Sequence, residues 1–115
     1  MTGRLHPDNP TFASEAERVC WGRLRDTLPG DAILLANQRL TDEGKDHEAD
    51  LIVLWPEVGA IVLEVKGGSV SHDGRKWVQT GKGERTIHPV DQARDAKYAF
   101  RSYVEDDPRW SRGRL

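Results

Sequence analysis

The sequence has few of the features that mark secreted, membrane-spanning or disordered chains. Cys20 is the only cysteine among 115 residues, so no disulfide can form within the chain, which favours a reducing, cytoplasmic environment. No apolar run approaches the ~20 residues of a transmembrane helix, and the first residues do not resemble a signal peptide. Apolar residues make up 37% and charged residues 31% of the sequence, which indicates a globular domain without a membrane partner.

A strong excess of positive charge is also absent. The formal net charge is −2, so the overall composition does not indicate nucleic-acid binding. The charges are unevenly distributed, because the sequence from Gly74 onwards has ten Lys or Arg and six Asp or Glu. A basic surface in this part of the chain is therefore compatible with the composition.

The length suits one domain, with a helix predicted near each end. We predict a loose N-terminal arm at 1–12, a folded domain at 13–107 and a C-terminal tail at 108–115. The first helix spans about 13–28, where Ser14 and Glu17 have the spacing of a capping box. The second begins after His88 and ends near Glu105, and Pro89 occupies its first position. The apolar stripes predicted for the two helices are Val19, Cys20, Leu24 and Leu28 in the first, and Ala93, Ala96, Phe100 and Tyr103 in the second.

Short apolar runs predict a mixed β-sheet between the helices. The predicted strands are 32–36, 51–55, 60–65, 70–72 and 76–79. The second and third are continuous apolar runs joined by a turn at 56–59, which predicts a central hairpin covered on both faces. Asp73-Gly74 predicts a smaller hairpin. The polar segments at 37–48 and 81–85 are predicted loops, and the order of elements predicts an α/β fold.

Three charged residues lie at the ends of the predicted buried strands. Asp50 precedes the strand at 51–55, and Glu64 and Lys66, which share one face, end the strand at 60–65. Pairing of these strands brings Asp50 near Glu64. Neighbouring buried carboxylates repel unless a cation lies between them, and Mg²⁺ prefers carboxylate and carbonyl oxygens. Lys66 adds a positive charge that can orient an attacking water or stabilise a developing phosphorane.

A simpler interpretation of this D-x13-E-x-K pattern is a Glu64–Lys66 ion pair, with Asp50 merely ending a loop. For an isolated pattern this interpretation is favoured, because the pattern is short and common. Its context favours the metal site, since two apolar strands flank the acids and a glycine pair, Gly67-Gly68, follows the lysine. Those glycines allow another backbone to approach closely.

Further polar and aromatic candidates lie outside the strand ends. Glu17 shares the apolar face of its helix, where it completes the capping box, contributes a further acid to the metal centre or positions Lys66. Gln92 lies on the apolar face of the second helix, as an ordinary first-turn glutamine or as a hydrogen-bond partner of a metal-bound water or phosphate. Trp77 either packs at the rim of the small hairpin or stacks on a base.

Four short segments combine these residues into a longer pattern. They are Ser14-Glu15-Ala16-Glu17-Arg18, Glu48-Ala49-Asp50-Leu51-Ile52-Val53, Leu63-Glu64-Val65-Lys66-Gly67-Gly68 and His88-Pro89-Val90-Asp91-Gln92-Ala93. In order and spacing, from about Ser14 to Val104, they resemble the nuclease-related domain (NERD), a branch of the PD-(D/E)xK nuclease superfamily. Each segment is weak alone, but four in order are specific.

The resemblance implies a restriction-endonuclease-like core that cleaves DNA with Mg²⁺ or Mn²⁺. Asp50 and Glu64 would bind the metal, with the Val65 carbonyl as a third ligand. Lys66 would act on the nucleophilic water. The residues that would complete the catalytic site are Glu17 and Gln92, and the expected DNA contacts are Lys66, Gly67, Gly68, Trp77 and Arg94. A fused or associated helicase or ATPase module is an expected partner, because members of the family are frequently attached to DNA-processing modules.

Two positions depart from the family pattern. Ala49 stands where proline is usual. The sequence stops at Leu115, soon after the second helix, where the superfamily core has another strand, so we expect that strand to be supplied elsewhere or the chain to be a fragment. A missing edge strand would expose apolar surface and favour homo-oligomers.

Two functions of different classes remain. The first is a metal-dependent DNase, favoured because the two acids and the lysine are all present. The second is a catalytically weak or inactive DNA-binding or docking module of a larger protein, favoured by the incomplete core and the near-neutral charge. RNA is also compatible with the sequence as a substrate.

Overall fold

Two helices and seven strands form the described part of the chain, which in this computed structural model comprises residues 4–42, 44–80, 83–111 and 113. In chain order they are β1 (Leu5–His6), α1 (Glu15–Thr27), β2 (Ile33–Asp42), β3 (Lys45–Trp55), β4 (Gly59–Leu63), β5 (Ser69–His72), β6 (Trp77–Thr80), β7 (Arg85–Ile87) and α2 (Pro89–Glu105). The predicted α/β class and mixed sheet are confirmed.

Both helices begin where their sequence signals predict. The Ser14 side chain caps α1 by accepting a 3.2 Å hydrogen bond from the Glu17 N–H, and Pro89 is the first residue of α2. The expected apolar stripes were partly wrong, because Val19 is 42% and Tyr103 65% exposed. Among the described residues, neither helix combines the length and the apolar composition needed to cross a membrane.

The main sheet has the strand order β1-β2-β3-β4. β1 pairs parallel to β2, and the other two pairs are antiparallel. The predicted β3–β4 hairpin is confirmed, with Leu51 opposite Leu63. Its expected central position holds for β3 alone, because β4 forms the sheet edge and its Ile61 is 38% exposed.

The polar segment at 37–48 was wrongly predicted as a loop. β2 and β3 stay paired along it, as far as Asp42 opposite Lys45. Leu40 is buried within it and Ala49 directly after it, and a ladder needs only main-chain groups, so polar side chains between them do not prevent pairing. The β2–β3 hairpin is therefore about twice as long as the apolar runs that were predicted as its strands.

The beginning of the described chain was wrongly predicted as a loose arm. Leu5 and His6 pair with Leu34 and Leu35 of β2. The Arg4 guanidinium donates hydrogen bonds to the carbonyls at the end of α1 and the start of β2, those of Leu28 (3.0 Å) and Ala32 (3.2 Å). The open edge of β2 offers unpaired main-chain groups, which the arm satisfies.

The sheet is covered on both faces at β2 and β3, but the expectation that both strands of the β3–β4 hairpin are covered was wrong for β4, where residues 59–61 are exposed. On the α1 face the buried residues are Trp21, Leu34, Ala36, Leu51 and Val53, and on the α2 face they are Leu40, Ala49, Ile52, Ala96, Ala99 and Phe100. Because successive strand residues point to opposite faces, Leu51 and Ile52 contribute to different cores. Each core is closed by one helix.

Along the β2–β3 ladder, the regular alternation of side chains between the two sheet faces is interrupted at one position. Ala36 faces α1 and Leu40 faces α2, although they are an even number of residues apart, and Leu51 and Ala49 differ in the same way. Between them, the paired positions omit Asn37 and Asp50. Asn37 has a left-handed backbone, with φ of 54°, which no regular strand contains. Asp50 therefore lies at an irregular point of the ladder.

A second, three-stranded sheet consists of β5, β6 and β7. The predicted hairpin at Asp73-Gly74 is confirmed, with His72 opposite Trp77. The predicted loop at 81–85 was wrong at Arg85, which begins β7 and pairs with Gln79. Gly81 and Lys82, also in that predicted loop, lie outside the described residues.

Candidate active site

Several acidic side chains converge on one cavity of about 380 Å³, here called the carboxylate cavity. Its lining residues are Ala13, Glu17, Asp46, His47, Glu48, Asp50, Glu64, Gln92 and Asp95. They come from the starts of α1 and α2, from β3 and from the end of β4. Four of the five predicted catalytic residues thus line one cavity, and the fifth, Lys66, contacts it through Glu64.

Asp50 occupies the point where β3 and β4 stop pairing through their main chains. The last paired residues are Leu51 and Leu63, so the next position in this register sets Asp50 opposite Glu64. In place of a main-chain bond, the Asp50 Oδ2 atom accepts a 2.9 Å hydrogen bond from the Val65 N–H. This bond orients the carboxylate and ties the segment after β4 to β3.

Glu64 and Lys66 lie just beyond β4, which ends at Leu63, two residues earlier than predicted. The Lys66 Nζ and Glu64 Oε1 atoms are 3.2 Å apart, and their side chains are only 18% and 10% exposed. The simple ion pair considered from sequence is therefore present. It does not exclude a metal site, because the same carboxylate also faces Asp50.

Burial raises the pKa of Glu64 above its ordinary value, and the negative charge of Asp50 raises it further. The Lys66 ammonium, which pairs with Glu64, acts on this pKa in the opposite direction. The net direction is upward, so one lysine does not compensate for the burial and proximity of two acids. A cation of higher charge between Asp50 and Glu64 would relieve both effects.

Glu17 is buried, with 8% of its surface exposed. Its N–H is capped by Ser14, as the capping-box interpretation requires, and its side chain lines the carboxylate cavity. Its roles as a further acid at a metal centre or in positioning Lys66 stay predictions. Burial is the largest cause of the raised pKa of Glu17, and the charges of Asp50 and Glu48 raise this pKa further. Hydrogen bonds from Ser14 and the Ala13 backbone lower it. The capping box therefore holds a carboxyl group inside an already acidic cavity.

The donor set suits a cation with few protein ligands. Among the residues that the structure describes, no group of three or more His, Cys, Asp or Glu side chains has the geometry of a metal site. A Mg²⁺ ion held by Asp50 and Glu64 would need backbone or water oxygens to complete its shell. The Val65 group that the structure shows at Asp50 is its N–H. A role for its carbonyl as a third ligand stays a prediction.

Gln92 lines the carboxylate cavity from the first turn of α2. Arg94 and Trp77, two predicted DNA contacts, lie outside the cavity lining. Arg94 forms an exposed 2.9 Å ion pair with Asp91, and Trp77 is 37% exposed and packs edge-on against His72, with ring centres 4.9 Å apart. Their proposed contacts with nucleic acid stay predictions.

The glycine pair allows the close backbone approach expected from the sequence. Gly68 has φ of +71°, and a Cβ atom at this position would lie 2.7 Å from the Thr80 carbonyl oxygen of β6. At Gly67 a Cβ atom would lie 3.3 Å from the Cβ of Ala16 in α1. The two glycines therefore allow α1 and the three-stranded sheet to pack closely against the segment that follows Lys66.

Sequence reasoning did not identify several residues of the carboxylate cavity. Asp46, His47 and Glu48 were assigned to a loop, although they belong to β3 and reach the cavity through the long hairpin. Asp95 had a usable signal, because it lies three residues after Gln92 and shares its helix face. For the β3 residues the signal was a pair of apolar residues, Leu40 within the polar segment and Ala49 directly after it.

Comparison with known proteins supports the resemblance found in the four motifs. The family model described as "Nuclease-related domain" (NERD) matches residues 13–113. This range contains every residue of the carboxylate cavity. No curated protein and no solved structure matches the chain significantly.

Proposed function

The chain belongs to the nuclease-related domain family, and we propose that it is a divalent-metal-dependent nuclease that hydrolyses DNA phosphodiesters. One observation carries the proposal: Asp50 and Glu64 lie side by side at the end of the β3–β4 ladder, with Lys66 paired to Glu64. A structural ion pair needs only one acid and one base. A second, adjacent acid destabilises the metal-free site and is useful where a cation binds.

In this proposal Asp50 and Glu64 hold Mg²⁺ or Mn²⁺, which would polarise the phosphodiester and acidify the attacking water. The Lys66 ammonium, which pairs with Glu64 in the metal-free protein, would then be available to the reacting groups. Lys66 then donates a hydrogen bond to the attacking water or to a non-bridging phosphate oxygen. The water oxygen bonds to phosphorus as the phosphorus–oxygen bond to the leaving sugar breaks.

Glu17 and Gln92 would complete the site from the two helices. Glu17, buried beside Asp50, adds negative charge that strengthens the attraction for a divalent cation. Gln92 is neutral and exposed at the opposite wall, where its amide can bond a water or a phosphate oxygen without repelling the substrate. The proposed partner is DNA, and the proposed location is the cytoplasm. A helicase or ATPase module is a further proposed partner. The exposed β4 edge is the proposed surface for self-association.

The test is cleavage of plasmid and single-stranded DNA by the purified protein in Mg²⁺, in Mn²⁺ and in EDTA. We expect metal-dependent cleavage that falls at least ~100-fold in Asp50→Ala, Glu64→Ala and Lys66→Ala. Asp31→Ala is the matched control, because this exposed acid lies beside the β3–β4 turn, at the far end of β3. Equal activity in all four variants would refute the proposal.

A second candidate is a non-catalytic module that binds or docks on DNA. It is favoured by the Glu64–Lys66 ion pair, which gives both side chains a partner without a metal. This function predicts salt-dependent DNA binding that EDTA does not change, without cleavage in either metal. Metal-dependent nicking that is lost in Glu64→Ala would exclude it.

A further inference from the structure

A second cavity, of about 670 Å³, lies beside the carboxylate cavity and is here called the Arg85 groove. Its lining residues are Ser14, Glu15, Ala16, Gly67, Gly68, Gln79, Thr80, Gly83 and Arg85. Two segments contribute to both cavities, because Glu17 directly follows Ala16 at the start of α1, and Glu64 lies three residues before Gly67 after β4. A linear ligand that reaches one cavity can therefore continue into the other.

Arg85 is held in this groove by a neutral side chain. The Gln79 Oε1 atom accepts hydrogen bonds from Arg85 Nη2 (2.8 Å) and Nε (3.1 Å). Gln79 is fixed in turn, because its Nε2 atom donates a 2.7 Å hydrogen bond to the Gly67 carbonyl. The guanidinium is thus positioned relative to the residue that follows Lys66.

Arg85 differs from four other arginines in having no carboxylate partner among the described residues. Arg18, Arg25, Arg94 and Arg109 each pair with a carboxylate, whereas no carboxylate of the described residues pairs with Arg85. Glu15, the acid of the Arg85 groove, is occupied by Arg18 through a 2.8 Å hydrogen bond. The groove therefore presents one guanidinium, that of Arg85, which no carboxylate of the described residues pairs with, beside an acidic cavity.

We propose that the Arg85 groove binds a non-scissile phosphate of the nucleic-acid strand, with Arg85 as the phosphate ligand and Gln79 as the residue that positions it. This inference rests on the proposed nuclease function and extends it to the path of the substrate. A guanidinium fixed on one edge keeps its other donors for a phosphate, whose oxygens match its planar geometry. Gly83 has no side chain, and a Cβ atom there would meet nothing within 4 Å, so a sugar-phosphate chain can approach the backbone closely at this position.

A purely structural role for the Gln79–Arg85 contact makes a different prediction. In that role the contact only ties β6 and β7 to the segment after Lys66, and its loss changes stability without changing the salt dependence of DNA binding. A phosphate contact contributes to that dependence, because each neutralised phosphate releases counterions. The slope of binding affinity against salt concentration therefore distinguishes the two roles.

The experiment measures binding of fluorescein-labelled single-stranded and duplex DNA by fluorescence anisotropy, in EDTA, at a series of salt concentrations. Arg85→Ala is expected to weaken binding about tenfold and to reduce the slope of log K against log [salt] by about 1. Arg85→Gln, whose amide can still donate to Gln79, is expected to lose the same slope, and it carries the test if Arg85→Ala does not fold. Arg75→Ala is the matched control, because Arg75 is exposed at the opposite end of the same small sheet.

Binding by the wild type with an unchanged slope in folded Arg85→Ala or Arg85→Gln would overturn the phosphate-ligand role, as would no DNA binding by the wild type. Cleavage assays in Mg²⁺ separate this result from the nuclease proposal. Cleavage that does not depend on Arg85 would refute the groove and leave the nuclease intact. Arg85-dependent binding without any cleavage would support the groove and refute the nuclease.

Discussion

Replacing Asp50 by alanine or by asparagine separates the structural role of this carboxylate from its proposed role at a metal. The structural role is the 2.9 Å hydrogen bond that Asp50 accepts from the partly buried Val65 N–H. Alanine removes both the hydrogen-bond acceptor and the negative charge. Asparagine removes the charge but retains a carbonyl oxygen that can accept the same bond.

The free-energy difference between the two variants isolates that hydrogen bond. Both variants lose the repulsion that Asp50 exerts on Glu17 and Glu64, so this contribution cancels when they are compared. Leaving a partly buried N–H without an acceptor costs about 1–3 kcal/mol. Asp50→Ala is therefore expected to be less stable than Asp50→Asn by that amount, which corresponds to roughly 4 °C in Tm for each kcal/mol. Asp50→Asn is expected to be at least as stable as the metal-free wild type.

Urea denaturation in EDTA at pH 7 measures the stability difference, and thermal melts with and without Mg²⁺ measure the role at the metal. Mg²⁺ is expected to raise the Tm of the wild type and of neither variant, because a ligand that binds only the folded state stabilises it. Equal stability of the two variants would refute the hydrogen-bond reasoning. Stabilisation of Asp50→Asn by Mg²⁺ to the wild-type extent would refute the metal-ligand role.

Three further substitutions test the electrostatics and the backbone around the site. Burial and Asp50 raise the pKa of Glu64, so its contribution to stability is fully present below its unfolded pKa of about 4.3 and is lost as the pH rises through the folded pKa. Glu64→Gln is therefore expected to gain stability over the wild type in EDTA as the pH rises from about 4.3 towards 7, and a margin that does not vary with pH in urea denaturation would contradict this. Gly68→Ala is expected to destabilise the fold by about 2–4 kcal/mol, because it imposes a Cβ atom 2.7 Å from the Thr80 carbonyl at φ of +71°, and an unchanged urea midpoint would disprove the clash. Asn37→Val is expected to lower the free energy of unfolding by about 2 kcal/mol and to lower cleavage, because valine does not tolerate φ of 54°. Asn37→Gly is expected to lose less stability. Equal losses for the two variants would argue against a backbone effect.

Local signals in the sequence were sufficient for much of the fold. Ser14 and Pro89 mark the starts of the helices because capping and a fixed proline φ act within one turn. The apolar run that became β3 was recognisable because both of its faces are buried, whereas the run that became β4 was recognisable from its composition although it lies at the sheet edge and is partly exposed. The strand segment at 37–48 was missed because its pairing depends on main-chain bonds to a distant partner, and its polar side chains carry little trace of that pairing. Asn37 illustrates the limit, since nothing beside it in the sequence requires a left-handed backbone.

The acids and the lysine of the site were recognisable from sequence because charged residues at the ends of buried strands are energetically costly unless they have a partner. The four ordered motifs also determined the family, since order and spacing are properties of the chain alone. Only the tertiary structure decided that Glu17 and Gln92, on different helices, share a cavity with Asp50 and Glu64. It also decided that Gln79 holds Arg85 next to Gly67. These contacts join residues far apart in the chain, so they arise from how the helices and the two sheets pack, which no local pattern encodes.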